Sequence, residues 1–192
     1  MSVDTDYAPK HIAPERKNFL GMDIVGDIHP SNRSNVTQRP KEELAPLLTA
    51  LLDFPEVGGV KWYQYTPYFN DGDPCEFSTG EVYLLLAEDV DRVGLSEDGL
   101  DDEDYVNQDG RPWLSTYNDR FQAVVGKRGY DSEARQYTYS SVNEGLSKAW
   151  RDFVDAIGSG AFDHALLELF GDHAIIQVIA GKNIEVFTYE HE

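Results

Sequence analysis

The residues with the most chemical potential lie between positions 62 and 77, in the run Trp62-Tyr63-Gln64-Tyr65-Thr66-Pro67-Tyr68-Phe69-Asn70-Asp71-Gly72-Asp73-Pro74-Cys75-Glu76-Phe77. Asp71, Asp73 and Glu76 are three carboxylates in six residues, a set that can bind a metal or carry out acid–base chemistry if it converges. Cys75 is a nucleophile only beside a base in an electropositive setting, and its neighbours are acidic. That points to a structural cysteine. The aromatics of the same run are denser than one strand needs for a core, and Tyr and Trp are the usual rigid anchors of recognition surfaces. The run therefore reads either as a contact surface or as one hydrophobic face with a capped turn. We take Trp62, Tyr63, Tyr65, Tyr68, Phe69, Asn70, Asp71 and Asp73 as candidate partner-binding residues.

Other motifs fail on their spacing. Gly126-Lys127 has Phe121 where a phosphate loop needs its first glycine, and Gly158-Ser159-Gly160 has Asp163 in place of the third glycine of a dinucleotide turn. Asp89, Asp91 and Gly94 open like a calcium loop, but Val93 and Leu100 replace required oxygen ligands. The five histidines, His11, His29, His164, His173 and His191, contain no pair at metal-binding helical spacing. His173 and His191 flank the open end of an expected hairpin, which reads as a hydrogen-bonded hairpin end or, with Asp172 or Glu190, as a small polar cluster. No cofactor, metal site or catalytic residue is assigned.

Charge is the strongest compositional signal. Among 192 residues, 35 are acidic and 16 are Lys or Arg, a formal net charge of −19. Such a field repels nucleic-acid phosphates and attracts basic surfaces. Solubility, adaptation to a saline cytoplasm, a basic partner and mimicry of a nucleic acid all remain open as its cause. The acids concentrate over 88–109, with ten against Arg92 alone. That composition reads as a solvated insertion (88–110), and Asp98, Asp101, Asp102, Glu103 and Asp104 join the candidate partner-binding set.

The elements that must position these residues follow from periodicity. The segment 1–38 reads as a loosely ordered arm, with Phe19 to Val25 as an edge strand or a pin on the body, and 39–192 as one α+β domain. Leu44, Leu47, Leu48, Leu51 and Leu52 form one apolar stripe, so a helix is predicted over Lys41 to Leu52, with Pro46 in its first turn and Gly58-Gly59 past its end. Strands are predicted over 60–66, 81–87, 120–125, 174–179 and 184–189, the last two forming a C-terminal hairpin. The run 81–87 is apolar throughout and should be buried on both faces. A capping box at Ser141 to Glu144 should open a helix carrying Val142, Leu146, Trp150, Phe153, Val154 and Ile157, and a shorter helix should run over 161–170. The fold class expected is α+β, an antiparallel or mixed sheet packed on three or so helices. No long apolar run or signal-like start is present, so the reading is cytoplasmic, or the host cytoplasm if the protein is viral.

The segment Gln64 to Asp73 with Cys75 and Phe77, and the ending Phe170-Gly171-Asp172-His173 with Tyr189-Glu190-His191-Glu192, resemble segments of uncharacterised bacteriophage proteins. The resemblance implies a tailed-phage or prophage origin, and no reaction. Three functions follow as expectations. The first is a non-enzymatic accessory protein that binds a host or viral macromolecule with a basic surface, without touching nucleic acid or membrane. The second is an acidic DNA mimic that inhibits a nucleic-acid-binding protein. The third is a small metal- or acid/base-dependent enzyme using Asp71, Asp73 and Glu76.

Overall fold

The computed structural model describes residues 17–26, 36–68, 75–93 and 112–188. It is α+β, as the sequence predicts. Nine strands are described: β1 (Lys17–Phe19), β2 (Met22–Gly26), β3 (Val57–Tyr65), β4 (Ser78–Leu86), β5 (Trp113–Leu114), β6 (Gly126–Asp131), β7 (Gln136–Ser141), β8 (Ala174–Ile179) and β9 (Ile184–Thr188). The helices are α1 (Lys41–Leu52), α2 (Asp119–Val124), α3 (Glu144–Gly158) and α4 (Asp163–Phe170), with a short 3₁₀ helix at Ala87–Arg92. Seven strands make one sheet in the order β1-β2-β9-β8-β3-β4-β5, and β6-β7 pair separately. The sheet is mixed because β2 runs parallel to β9, while the other neighbours are antiparallel.

One sheet face carries the helices. Val60, Trp62, Leu84, Ile176 and Val178 pack there against Leu48 and Leu51 of α1, Leu146 and Phe153 of α3, and Leu166 and Phe170 of α4 in one core. The opposite face also holds buried groups. Ile175 and Leu85 are closed to solvent, and Lys61 is buried with its Nζ 5.0 Å from the Tyr83 ring, 5.6 Å from Tyr63 and 5.7 Å from Trp113. A buried ammonium needs compensation, and three π-faces supply part of it. Burial of every residue from Val82 to Leu86 fits the continuous apolar run.

Several expectations change. The expected edge strand and pin over Phe19 to Val25 is present, as two strands rather than one: residues 17–26 form a hairpin at the edge of the main sheet, with Phe19 and Ile24 buried in the core. Its two-residue turn is Leu20-Gly21, both at positive φ, the geometry that matches strand twist. The run 120–125 is the helix α2 rather than a strand. The Asn118 side chain accepts from Arg120 N, and Phe121 and Val125, four apart, both reach the core, so cap and spacing override β-propensity. The cap of α3 is Asn143, which accepts from Leu146 N at 3.1 Å, while Ser141 ends β7 and Val142 stays exposed. Pro46 sits in the second turn of α1, where only the Glu42 carbonyl loses a partner, and that residue is exposed. Gly58 and Gly59 belong to β3. A side chain at Gly59 would be driven into the Val178 carbonyl of the adjacent strand, so that glycine serves sheet packing and not the end of the helix.

The acidic insertion begins as an ordered clamp. Asp89, 3% exposed, pairs with Arg92 Nη1 at 2.7 Å and Arg120 Nη2 at 2.7 Å, and Arg120 also reaches Glu88. These pairs tie the 3₁₀ helix to α2, joining the chain before and after the insertion. Burial works against the Asp89 charge, but the hydrogen bonds and positive charges of Arg92 and Arg120 outweigh it and hold the carboxyl below its usual range. Hydrogen bonds to Glu88 and then to Asp89 likewise raise Arg120. A depressed carboxyl adds stability above its unfolded pKa of about 4 and loses it as pH falls through the folded value. Between pH 7 and 3 the thermal midpoint of the wild type should therefore converge on that of Asp89→Asn. A gap between the two that stays constant over this range would mean the clamp does not act through charge.

Candidate functional site at the end of strand β3

Two segments more than a hundred residues apart in sequence meet at the C-terminal end of β3. One runs from Trp62 to Tyr68. The other is the α4–β8 connection, Phe170-Gly171-Asp172-His173. Contact begins deep in the core and ends at the surface. Trp62 and Phe170 meet edge to face at 5.6 Å. Gln64, fully buried, accepts from Trp62 Nε1 at 3.2 Å and donates to the carbonyls of Leu166 and Gly171 at 3.3 and 2.5 Å. Asp172, 3% exposed, accepts through one oxygen, Oδ1, from the backbone N–H groups of Thr66 and of His173, each at 2.8 Å. At the outer edge the His173 imidazole lies under Tyr68, with ring centres 4.7 Å apart and planes inclined by 16°. Tyr65 approaches the same imidazole at 6.5 Å.

The local backbone explains the geometry. Gly171 follows the last turn of α4 at φ 82°, which stops the helix, and His173 adopts φ 52° before β8 begins. A non-glycine residue in the left-handed region carries strain that its surroundings must hold. Here the carboxylate bond to the His173 N–H and the stack under Tyr68 hold it. Two buried polar atoms at this corner, Thr66 Oγ1 and His173 Nδ1, have no hydrogen-bond partner among the described residues. The Asp172 Oδ2 to His173 Nε2 separation is 3.8 Å, too long for a hydrogen bond. The corner thus combines an aromatic stack with two buried polar atoms that no described residue satisfies. Among the described residues it holds no nucleophile–base pair of the acyl-transfer kind.

The candidate residues are distributed as follows. Trp62 is 1% exposed and belongs to the core, so it is no surface anchor. Tyr63 is half-buried and packs edge to face on Tyr83 at 5.9 Å, on the sheet face away from the helices. Tyr65 is half-buried beside His173, and Tyr68 is 75% exposed. Phe69, Asn70, Asp71, Asp73, Asp98, Asp101, Asp102, Glu103 and Asp104 lie outside the described residues, as does His191. Cys75 is half-buried and Glu76 exposed. Among the described residues, no three His, Cys, Asp or Glu side chains gather as a metal site, and no helix is long and apolar enough to cross a membrane.

Gln64, Thr66 and the role of Asp172 as a clasp escaped the sequence reading. One signal for Gln64 was available: it is an amide on the core-facing side of an aromatic strand, in register with Trp62. Nothing local marks Thr66 or Asp172, because their bond joins residues 106 apart. No protein-family model matches the chain, and neither a curated protein nor a solved structure matches it.

Proposed function

We propose that this is a non-enzymatic binding protein, of the phage accessory type, that engages a host or viral protein with a basic surface in the cytoplasm, with Tyr68 at the centre of the contact. The observation that carries this reading is the Tyr68–His173 stack. The Tyr68 ring is 75% exposed yet backed by an imidazole whose own position is fixed through Asp172. A pre-positioned aromatic loses little freedom on binding, which is what a recognition anchor requires. The net charge of −19 supports a cationic partner and disfavours nucleic acid.

Capture from a bacterial lysate at moderate salt, with wild type, Tyr68→Phe and Tyr68→Ala in parallel, tests the proposal. Tyr68→Ala should weaken the specific partner by about 2 kcal/mol, roughly thirtyfold, and Tyr68→Phe should retain most of the binding. Equal recovery by folded Tyr68→Ala would remove Tyr68 from the contact. If that recovery also collapsed with salt and was competed by duplex DNA, nucleic-acid mimicry would replace the present reading.

A further inference from the structure

A second surface stands apart from the Tyr68 corner. Helices α1 and α3 pack side by side, and between them on the outside runs a cleft of about 450 Å³ lined by Leu47, Ala50, Phe54, Gly145 and Ala149, with Asp53, Lys148 and Asp152 on its rim. The floor is the outer skin of the core, since Leu47, Phe54 and Ala149 pack against buried residues from only one side. Gly145 keeps the cleft shaped as it is. A Cβ there would come within 3.2 Å of the Phe54 ring and push it. Leu47 and Ala50 lie one turn apart on α1, roughly 5 Å, and Phe54 follows just past the end of the helix.

The rim charges are unequal. Lys148 pairs with Asp152 one turn on. Asp53 forms no ion pair among the described residues and caps the C-terminus of α1, whose last turn has no basic residue. That helix end carries the negative pole of the dipole as well as the carboxylate, so a cation is favoured there twice over. A second copy of this chain or an anionic membrane would bring like charge to a surface already at −19.

We propose that the α1–α3 cleft is a docking groove for a short basic amphipathic helix of a protein partner. Two apolar side chains one turn apart would enter the cleft, and a lysine or arginine at one end would meet Asp53. This is the helix-in-groove mode, with the third helix laid over two packed ones.

The probe is a peptide of about 14 residues, roughly four turns, with leucine and lysine at amphipathic spacing. Its control has the same composition reordered so that no face is apolar. Charge alone attracts both peptides equally, whereas the groove selects the patterned one. The patterned peptide should bind at least roughly tenfold more tightly and shift the methyl resonances of Leu47 and Ala50. Ala50→Trp, at an exposed position, should fill the cleft and abolish that preference. Asp53→Asn should weaken binding by roughly threefold. Tyr68→Ala should leave peptide binding unchanged, which separates this groove from the contact proposed above. Equal affinity for the two peptides, or methyl shifts spread over the acidic surface and not concentrated at Leu47 and Ala50, would overturn the proposal. So would an undiminished preference in folded Ala50→Trp.

Discussion

Trp62→Ala is expected to destabilise the protein by about 3–5 kcal/mol, the range for truncating a large aromatic in a packed core. The indole is 1% exposed and meets Phe153 edge to face at 5.9 Å and Phe170 at 5.6 Å. Its Nε1–H satisfies Gln64. Removing it opens a cavity where β3, α3 and α4 meet and leaves the Gln64 oxygen without its donor. Against a total stability of about 5–15 kcal/mol for an ordinary domain, this is a large fraction. Urea unfolding should show a lower midpoint with an unchanged slope. A loss below about 1 kcal/mol would place Trp62 outside the core. Any failure of Trp62→Ala to bind a partner would consequently report folding and not recognition, which is why Tyr68 alone is the binding probe.

Gln64→Leu should cost about 3 kcal/mol although it adds apolar volume at a fully buried position. The side-chain amide joins three elements: it accepts from Trp62 on its own strand and donates to Leu166 on α4 and to Gly171 beyond it. Leucine matches the size and makes none of these bonds. The Trp62 N–H and the Gly171 carbonyl then lose their partner inside the protein, and each orphaned buried group costs about 1–3 kcal/mol. Because Gly171 leads directly into Asp172 and His173, the loss should also loosen the corner that holds Tyr68. Backbone amide exchange at Thr66 and His173 should accelerate more than the global loss of stability accounts for. Unfolding curves that overlay those of the wild type would show that the amide bonds are not part of what holds β3 to α4.

What the sequence made legible was whatever a local pattern encodes. The leucine stripe of α1, the buried run of β4 and the C-terminal hairpin of β8 and β9 are each specified within about a dozen residues, and each is found where periodicity puts it. The misreading of α2 as a strand had a local cause, since Phe121, Val124 and Val125 have β-propensity while the deciding cap, Asn118, stands just outside the run. The corner was half legible. The aromatic run and the Asp172-His173 pair were each visible, but no spacing rule connects positions 66 and 172. Their pairing is a consequence of β3 and β8 lying side by side in the sheet. Burial was the other hidden quantity. Trp62 and Tyr68 stand in the same aromatic run, but Trp62 lies within β3 on its core face while Tyr68 lies past the end of the strand, which separates a packing residue from an exposed ring.

Hydrogen–deuterium exchange of the protein alone and with the partner recovered by capture addresses the binding surface most directly. Binding should add protection at Tyr65 to Tyr68 and at Asp172 to Ala174 together, two stretches distant in sequence and joined by the Asp172 clasp and the Tyr68–His173 stack. Protection confined to other surfaces, with both stretches exchanging as they do in the free protein, would contradict the assignment of this corner as the contact.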